Sequence, residues 1–201
     1  MAPWGPEVND KANNTVMKMK TTSGTESQYT DVKEYQVTLQ VALKLKAKLE
    51  ELGATVVMTR ETHDVNISNI ERARLCNEAG CDVVIKLHCN GYSDSSVHGV
   101  EAWIRDKGDG TDEYKALGER EKVMAEELLT CFCEATGASK RYVQRSDSYA
   151  GLNWSTVPAI ILECGYMSNE EEDRNLADSD YQDLMVFGIT NWICNSETLK
   201  Q

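Results

Sequence analysis

Two apolar segments of this 201-residue chain each lead directly into a side chain that can bind a metal or move a proton. Residues 82–87 are followed by His88, and residues 157–162 are followed by Glu163. In an α/β sheet, ligands and catalytic groups collect at the carboxyl ends of strands. If both segments are strands of one sheet, the sequence predicts an active site in which His88 and Glu163 share one edge.

Each of these two residues has a structural alternative. A lone histidine more often caps a strand and hydrogen-bonds a loop than it binds a metal or acts as a general base. For His88, the tight polar loop that begins with Asn90 and Gly91 favours the functional interpretation. Glu163 directly follows an apolar run, where an unpaired carboxylate would be costly to bury. It therefore has a raised pKa, or an ion-pair partner such as Arg72, or both, and such groups cluster at functional sites.

Four other residues carry reactive groups, and for each the residues alone favour an ordinary role. Glu34 lies in the first turn of a predicted helix, where an acid stabilises the helix dipole. His63 and His98 lie in predicted loops from which either could approach the site. Cys89 would point to the opposite face of an extended strand from His88, so a thiol–histidine pair is not expected.

Apolar periodicity and helix caps predict a layered α/β fold. Asp31 is a candidate N-cap with Gly53 as the stop signal of the same helix, and Ser68 with Glu71 forms a capping box. This order of elements predicts a single domain with a mostly parallel central sheet and helices on both faces. Residues 1–30 are predicted to be loop without a strand. The predicted helices cover residues 31–52, 68–80, 113–136 and 179–195, and the predicted strands cover residues 54–59, 82–87, 99–104 and 157–162.

Composition excludes several classes of protein. The net charge of -12 and the pI near 4.7 argue against a nucleic-acid groove and against docking by charge on an anionic membrane. No apolar run approaches the length of a membrane span, and the first residues have neither the charged nor the apolar region of a signal peptide. Seven cysteines without a Cys-x-x-Cys pair argue against a structural zinc cluster and favour a reducing cytoplasm or an anaerobe.

Taken together, these segments resemble the zinc-dependent N-acetylmuramoyl-L-alanine amidases of type 3, a family of peptidoglycan hydrolases. The likeness runs from about residue 21 to residue 194, and IKLHCN at 85–90 and VPAIILECGYMSN at 157–169 are its most specific parts. Residues 33–39, 56–60 and 67–73 are similar to further family segments. The resemblance implies that Glu34 and His88 bind zinc, that Glu163 is the catalytic general base and that Asn90 binds substrate.

One family motif is absent from this chain. The family begins with a strand that ends in Asp-x-Gly-His, whose histidine is the first zinc ligand, and here no histidine precedes His63. A misassigned start, a trimmed chain or true degeneracy would each produce this pattern. Because two protein ligands leave a tetrahedral zinc site half filled by water, we expect weak or no activity from this chain and full activity from an upstream-extended form. We also expect uncovered apolar sheet surface near residues 82–87 and 157–162.

The resemblance implies an enzyme that cleaves the amide between N-acetylmuramic acid and L-alanine with zinc-activated water, as cell autolysins and phage endolysins do. It divides the chain into an N-terminal region (1–30), a catalytic domain (31–195) and a tail (196–201). The alternative is a non-catalytic peptidoglycan-binding or regulatory protein on the same fold, against which the retained Glu163 weighs. A serine hydrolase is disfavoured, because no Gly-x-Ser-x-Gly motif is present.

The expected partner is peptidoglycan, bound by a monomer that has no membrane span and no nucleic-acid partner. The expected location is extracellular or at the cell wall, or cytoplasmic before release if the protein is phage-encoded.

Overall fold

The computed structural model describes residues 6–8, 17–19, 24–106 and 111–200. Its strands are β1 (Pro6–Val8), β2 (Met17–Met19), β3 (Val84–Asn90), β4 (Val100–Arg105), β5 (Lys140–Ser146) and β6 (Ala159–Tyr166). Its helices are α1 (Glu34–Glu51), α2 (Asn69–Ala79), α3 (Asp112–Thr136), α4 (Ala150–Asn153), α5 (Glu170–Ala177) and α6 (Ser179–Asn195). Within these ranges, no helix is both long enough and apolar enough to span a bilayer.

The central sheet has four strands in the order β3-β6-β4-β5. β3 runs parallel to β6, and β4 runs parallel to β5, while β4 and β6 are antiparallel. The prediction of a mostly parallel sheet is confirmed, with one antiparallel step at its centre. β1 and β2 form a separate antiparallel pair.

Helices pack on both faces of this sheet, as predicted. On one face, the main core joins alternate residues of β4 and β6, such as Ala102 and Leu162, to α1, α3 and α6. On the other face, a smaller cluster joins Leu152 of α4 to Ile161 of β6, with Trp103 and Tyr149 packed against it. Because side chains alternate along a strand, the polar residues between the main-core positions project toward this second face.

Local sequence explains where the helices begin and end. α2 has the predicted capping box, in which the Glu71 amide donates to Ser68 Oγ at 3.2 Å and the Ser68 amide donates to Glu71 Oε2 at 2.7 Å. α1 begins later than predicted, with Lys33 as its N-cap, because Asp31 has a left-handed backbone (φ 60°) that a helix cannot include. Gly53, with φ 89°, ends the same helix as predicted.

Two expectations about the strands are wrong, and one further strand was not predicted. Residues 54–59 form no strand, because β3 is the edge strand of the described sheet and this segment is not paired with it. The N-terminal region contains the short strands β1 and β2, where only loop was expected. β5 was not predicted at all, because an edge strand rich in Lys and Arg has no apolar run to mark it.

The expectation of uncovered apolar sheet surface is correct only at the edge. β3 is half-buried over residues 84–88, whereas the β6 residues from Ala159 to Leu162 are almost completely buried. The physical reason is the strand order, which places β6 between two neighbours and leaves β3 with a single one.

Candidate active site

A row of three polar side chains crosses the sheet near the carboxyl ends of β3 and β6. His88 of β3 is the register partner of Glu163 of β6, and Glu163 is in turn the register partner of Glu101 of β4. Register partners on adjacent strands project to the same face. The sheet therefore brings together His88 and Glu163, as their positions after apolar runs predicted, and adds Glu101.

Glu34 reaches this row from the start of α1. Its side chain is buried, and Oε1 accepts from His88 Nδ1 at 2.7 Å and from the Cys89 amide at 3.3 Å. Oε2 accepts from the Thr25 amide at 2.7 Å. Burial acts to raise the pKa of Glu34, but these hydrogen bonds and the nearby His88 outweigh it and hold the pKa below its ordinary value. Glu34 is therefore an anion held against His88, and not only a first-turn acid.

The loop before α1 holds Glu34 in place. The Glu34 amide donates to the Thr25 carbonyl at 2.9 Å, so backbone and side chain of Glu34 both bind this loop. A Cβ at Gly24 would lie 2.6 Å from Glu34 Oε2, so this position requires glycine. Asp173, fully buried on α5, anchors the loop from the other side by accepting from the Ser27 hydroxyl at 2.5 Å and from the Tyr29 amide at 3.0 Å.

Glu163 has the electrostatics of a reactive acid. Its Oε2 is buried and has no hydrogen-bond partner among the described residues. Burial, with smaller contributions from the charges of Glu34 and Glu101, raises the pKa of Glu163 to about 7, although His88 acts in the opposite direction. The suggested ion pair with Arg72 is wrong, because Arg72 instead donates to Thr59 Oγ1 at 2.8 Å. Of the two explanations for a buried acid, the structure selects the raised pKa.

Glu101 is more deeply buried than the half-buried Glu163 and has the opposite surroundings. Its Oε1 accepts from Asn90 Nδ2 at 3.1 Å and from Trp103 Nε1 at 3.3 Å. Its Oε2 accepts from the Tyr166 hydroxyl at 3.1 Å and lies 3.1 Å from Arg141 Nε. The angle at Arg141 Nε is too poor for a hydrogen bond, so this contact is an ion pair only. Asn90, the predicted substrate-binding residue, thus reaches the site through Glu101.

Sequence reasoning missed Glu101, although a signal was present. In the predicted strand 99–104, Val100, Ala102 and Ile104 alternate as one apolar face, and Glu101 is the acid that this alternation turns toward the opposite face. The remaining two histidines make other contacts. His63 packs edge-on against Tyr35 with 5.1 Å between ring centroids, and His98 Nδ1 lies 2.9 Å from the Ser96 carbonyl in its own loop.

The chemistry of Glu34 and His88 suits a zinc ion in part. A carboxylate oxygen and an imidazole nitrogen in direct contact are two of the donors that zinc prefers. Among the described residues, however, no cluster of three or more His, Cys, Asp or Glu side chains has the arrangement of a metal site. The pair fits as two ligands, and the described residues do not supply a third.

Comparison with known proteins decides the family. Residues 18–195 match the family model described as N-acetylmuramoyl-L-alanine amidase. The chain belongs to this amidase family. The resemblance carried by its sequence motifs is thereby confirmed.

Amidase relatives align over most of the chain. A probable cell wall amidase, LytH of Staphylococcus saprophyticus, is 29% identical over 158 residues, which are 78% of this chain and 47% of the relative. The N-acetylmuramoyl-L-alanine amidase LytC of Bacillus subtilis is 26% identical over 78% of this chain and 29% of its own length. The chain thus spans about half or less of the curated relatives that it matches.

Solved amidase structures share the fold. An N-acetylmuramoyl-L-alanine amidase from Clostridium difficile 630 superposes with a TM-score of 0.76 at 27% identity, covering 88% of this chain and 92% of that one. The catalytic domain of the amidase CwlV from Bacillus (Paenibacillus) polymyxa gives a TM-score of 0.74 at 26% identity, covering 85% of this chain and 88% of that one. The α/β architecture is therefore that of amidase catalytic domains.

Proposed function

We propose that this chain is a peptidoglycan hydrolase that cleaves the amide between N-acetylmuramic acid and L-alanine, with a zinc ion held in part by Glu34 and His88. The single observation that carries the proposal is the buried, unpartnered Oε2 of Glu163, on a strand paired in register at His88. Family membership supplies the reaction class. The name of the relative LytH, a probable cell wall amidase, supports a place of action at the cell wall.

The roles follow from the surroundings of each residue. When bound, zinc polarises an amide carbonyl and lowers the pKa of water in its coordination sphere. Glu163 accepts a proton from the attacking water at its free oxygen and delivers it to the leaving amine of L-alanine. A pKa of about 7 suits both steps, because the group can accept and release a proton near neutral pH. Asn90 binds the substrate beside this acid.

Zinc binding is tested first, without reference to turnover. Wild-type protein and the variants His88→Ala, Glu34→Gln and Glu163→Gln are dialysed against zinc, and bound metal is measured by elemental analysis. Because the described residues supply only two ligands, we expect wild-type protein to hold zinc weakly. We expect His88→Ala and Glu34→Gln to hold less zinc than wild type and Glu163→Gln to hold as much. The control is His98→Ala, which removes an exposed imidazole whose Nδ1 lies 2.9 Å from the Ser96 carbonyl of its own loop. Retention of zinc by His88→Ala would refute the ligand assignment.

Activity is then followed as release of soluble peptide from purified peptidoglycan. We expect weak turnover from the wild-type chain, and Glu163→Gln should lose most of it while holding as much zinc as wild type, since general-base catalysis is worth about 10²–10⁴-fold. Loss of zinc together with loss of turnover in this variant would make Glu163 a ligand and not the base. The non-catalytic alternative predicts binding to peptidoglycan without cleavage in wild-type protein. The Glu163 carboxyl, whose buried Oε2 has no hydrogen-bond partner among the described residues, weighs against this alternative. Such a group costs stability, and a protein without the reaction would gain by losing it. We propose that the protein acts as a monomer.

A further inference from the structure

The buried Glu101 and the half-buried Glu163 lie side by side on the β4–β6 pair, and their surroundings differ in one decisive respect. Glu163 keeps a free oxygen, whereas both oxygens of Glu101 are occupied. An ionised carboxylate offers about four lone-pair sites. Hydrogen bonds from Asn90, Trp103 and Tyr166 occupy three of them, and the Arg141 guanidinium lies against Oε2 as an ion-pair partner. Both oxygens of Glu101 are therefore engaged by the protein itself.

We propose that Glu101 is a positioning residue that fixes the orientation of the Asn90 side-chain amide, so that Asn90 can bind an amide group of the substrate beside Glu163. This inference rests on the proposed function, because it assumes that a muramoyl peptide is the substrate.

The geometry of Asn90 carries the argument. A carboxylate only accepts hydrogen bonds, so the amide nitrogen of Asn90, and not its oxygen, must face Glu101. At the other end, Asn90 Oδ1 accepts from the Gly91 amide at 2.8 Å, which fixes the same orientation. Among the described residues, these contacts leave one N–H of the Asn90 nitrogen and one lone pair of the Asn90 oxygen available for a further hydrogen bond. A donor beside an acceptor is the complement of an amide, the group that this enzyme class cleaves.

Glu101 itself is held rigidly, as a positioning residue must be. Its partners come from all four strands of the sheet: Asn90 from β3, Arg141 from β5, Tyr166 from β6 and Trp103 from β4 itself. The Arg141 guanidinium lies 5.2 Å from the centre of the Tyr166 ring, which limits the movement of both groups. Because Glu101 is only 2% exposed, water does not compete for these bonds.

Substrate binding is measured in the Glu163→Gln background, where cleavage does not consume the ligand. The probe is N-acetylmuramoyl-L-alanyl-D-isoglutamine, which contains the amide to be cut, and binding is followed by calorimetry. Adding Glu101→Gln, an isosteric change that lets the side chain donate as well as accept, should weaken binding about tenfold, the equivalent of one hydrogen bond. Asn90→Ala should weaken it as much, and the two changes together should cost no more than Asn90→Ala alone. Additive losses, or unchanged affinity in a folded Glu101→Gln variant, would overturn the proposal.

The matched control is Glu121→Gln. Glu121 is also a buried acid with an arginine partner, but it lies by the Ala159 amide at the opposite end of β6. The protein that carries Glu121→Gln should be less stable and should bind the probe with unchanged affinity. If Glu121→Gln and Glu101→Gln lost the same affinity, the loss would come from general destabilisation, and the proposal would be overturned.

A second measurement separates this inference from the proposed function. The side-chain NH₂ resonances of Asn90, followed by NMR in the protein without ligand, should be two distinct and exchange-protected signals that move together or broaden in Glu101→Gln. Unchanged Asn90 resonances would overturn the positioning role. If the Glu163→Gln reference fails to bind the probe at all, the proposed substrate is wrong, and the NMR result still decides whether Glu101 orients Asn90.

Discussion

Neutralising Glu163 should stabilise the metal-free protein above neutral pH and leave its stability unchanged in acid. Burial raises the pKa of this carboxyl from an ordinary value near 4.5 to about 7 in the folded protein. Below about pH 4.5 the carboxyl is protonated in the folded and the unfolded chain, and it has no effect on stability. Between about pH 4.5 and 7 the unfolded chain releases the proton first, so the free energy of unfolding falls as the pH rises through this window.

The size of the effect follows from the same pKa. Each tenfold change in an equilibrium constant corresponds to about 1.4 kcal/mol, so the rise from 4.5 to about 7 amounts to about 3 kcal/mol. A glutamine at this position carries no charge at any pH. Glu163→Gln should therefore exceed wild type in free energy of unfolding by about 3 kcal/mol at pH 8 and by less than about 0.5 kcal/mol at pH 4.

Urea unfolding in the presence of EDTA, followed by circular dichroism at the two pH values, measures this difference. Glu50→Gln serves as the control, because it removes a carboxylate from the exposed surface of α1 and should change stability by less than about 0.5 kcal/mol at either pH. Equal stability of Glu163→Gln and wild type at pH 8 would show that the buried carboxylate ionises without cost. The argument for a reactive acid from its raised pKa would then be wrong.

Three further predictions concern the scaffold of the site. Gly188→Ala should lower the free energy of unfolding by about 1–3 kcal/mol in urea titrations, because the new Cβ would lie 2.8 Å from an α-carbon of α3. Arg105→Met should cost about 3–5 kcal/mol in the same assay, because it leaves Glu121 buried without its cation, and adding Glu121→Gln should recover part of the loss. Asp173→Asn should speed hydrogen exchange of the loop amides around Ser27 by about tenfold without lowering the melting temperature as much as Arg105→Met does.

The sequence by itself determined those features whose cause is local. A capping box needs only residues three apart, so Ser68 and Glu71 marked the start of α2 correctly. A polar residue after an apolar run is visible along the chain, so His88 and Glu163 could be selected before any contact was known. The family motifs share this property, because they are short segments in a conserved order.

Tertiary structure alone decided which residues meet. A first-turn acid such as Glu34 stabilises any helix, and only the place where α1 starts relative to β3 puts its oxygen 2.7 Å from His88. Glu101 gained its role from the β4–β6 pairing, which makes it the register partner of Glu163.

The strands that were missed or wrongly predicted have the same explanation. Residues 54–59 have β-branched residues but pair with no strand of the described ranges, and β5 has a neighbour but no apolar run. Helix caps and alternation act within a few residues, whereas a strand, a paired acid or a bound ion depends on groups that lie far apart in the chain. The order in which the strands assemble is a property of the whole core, so no local pattern could have specified it.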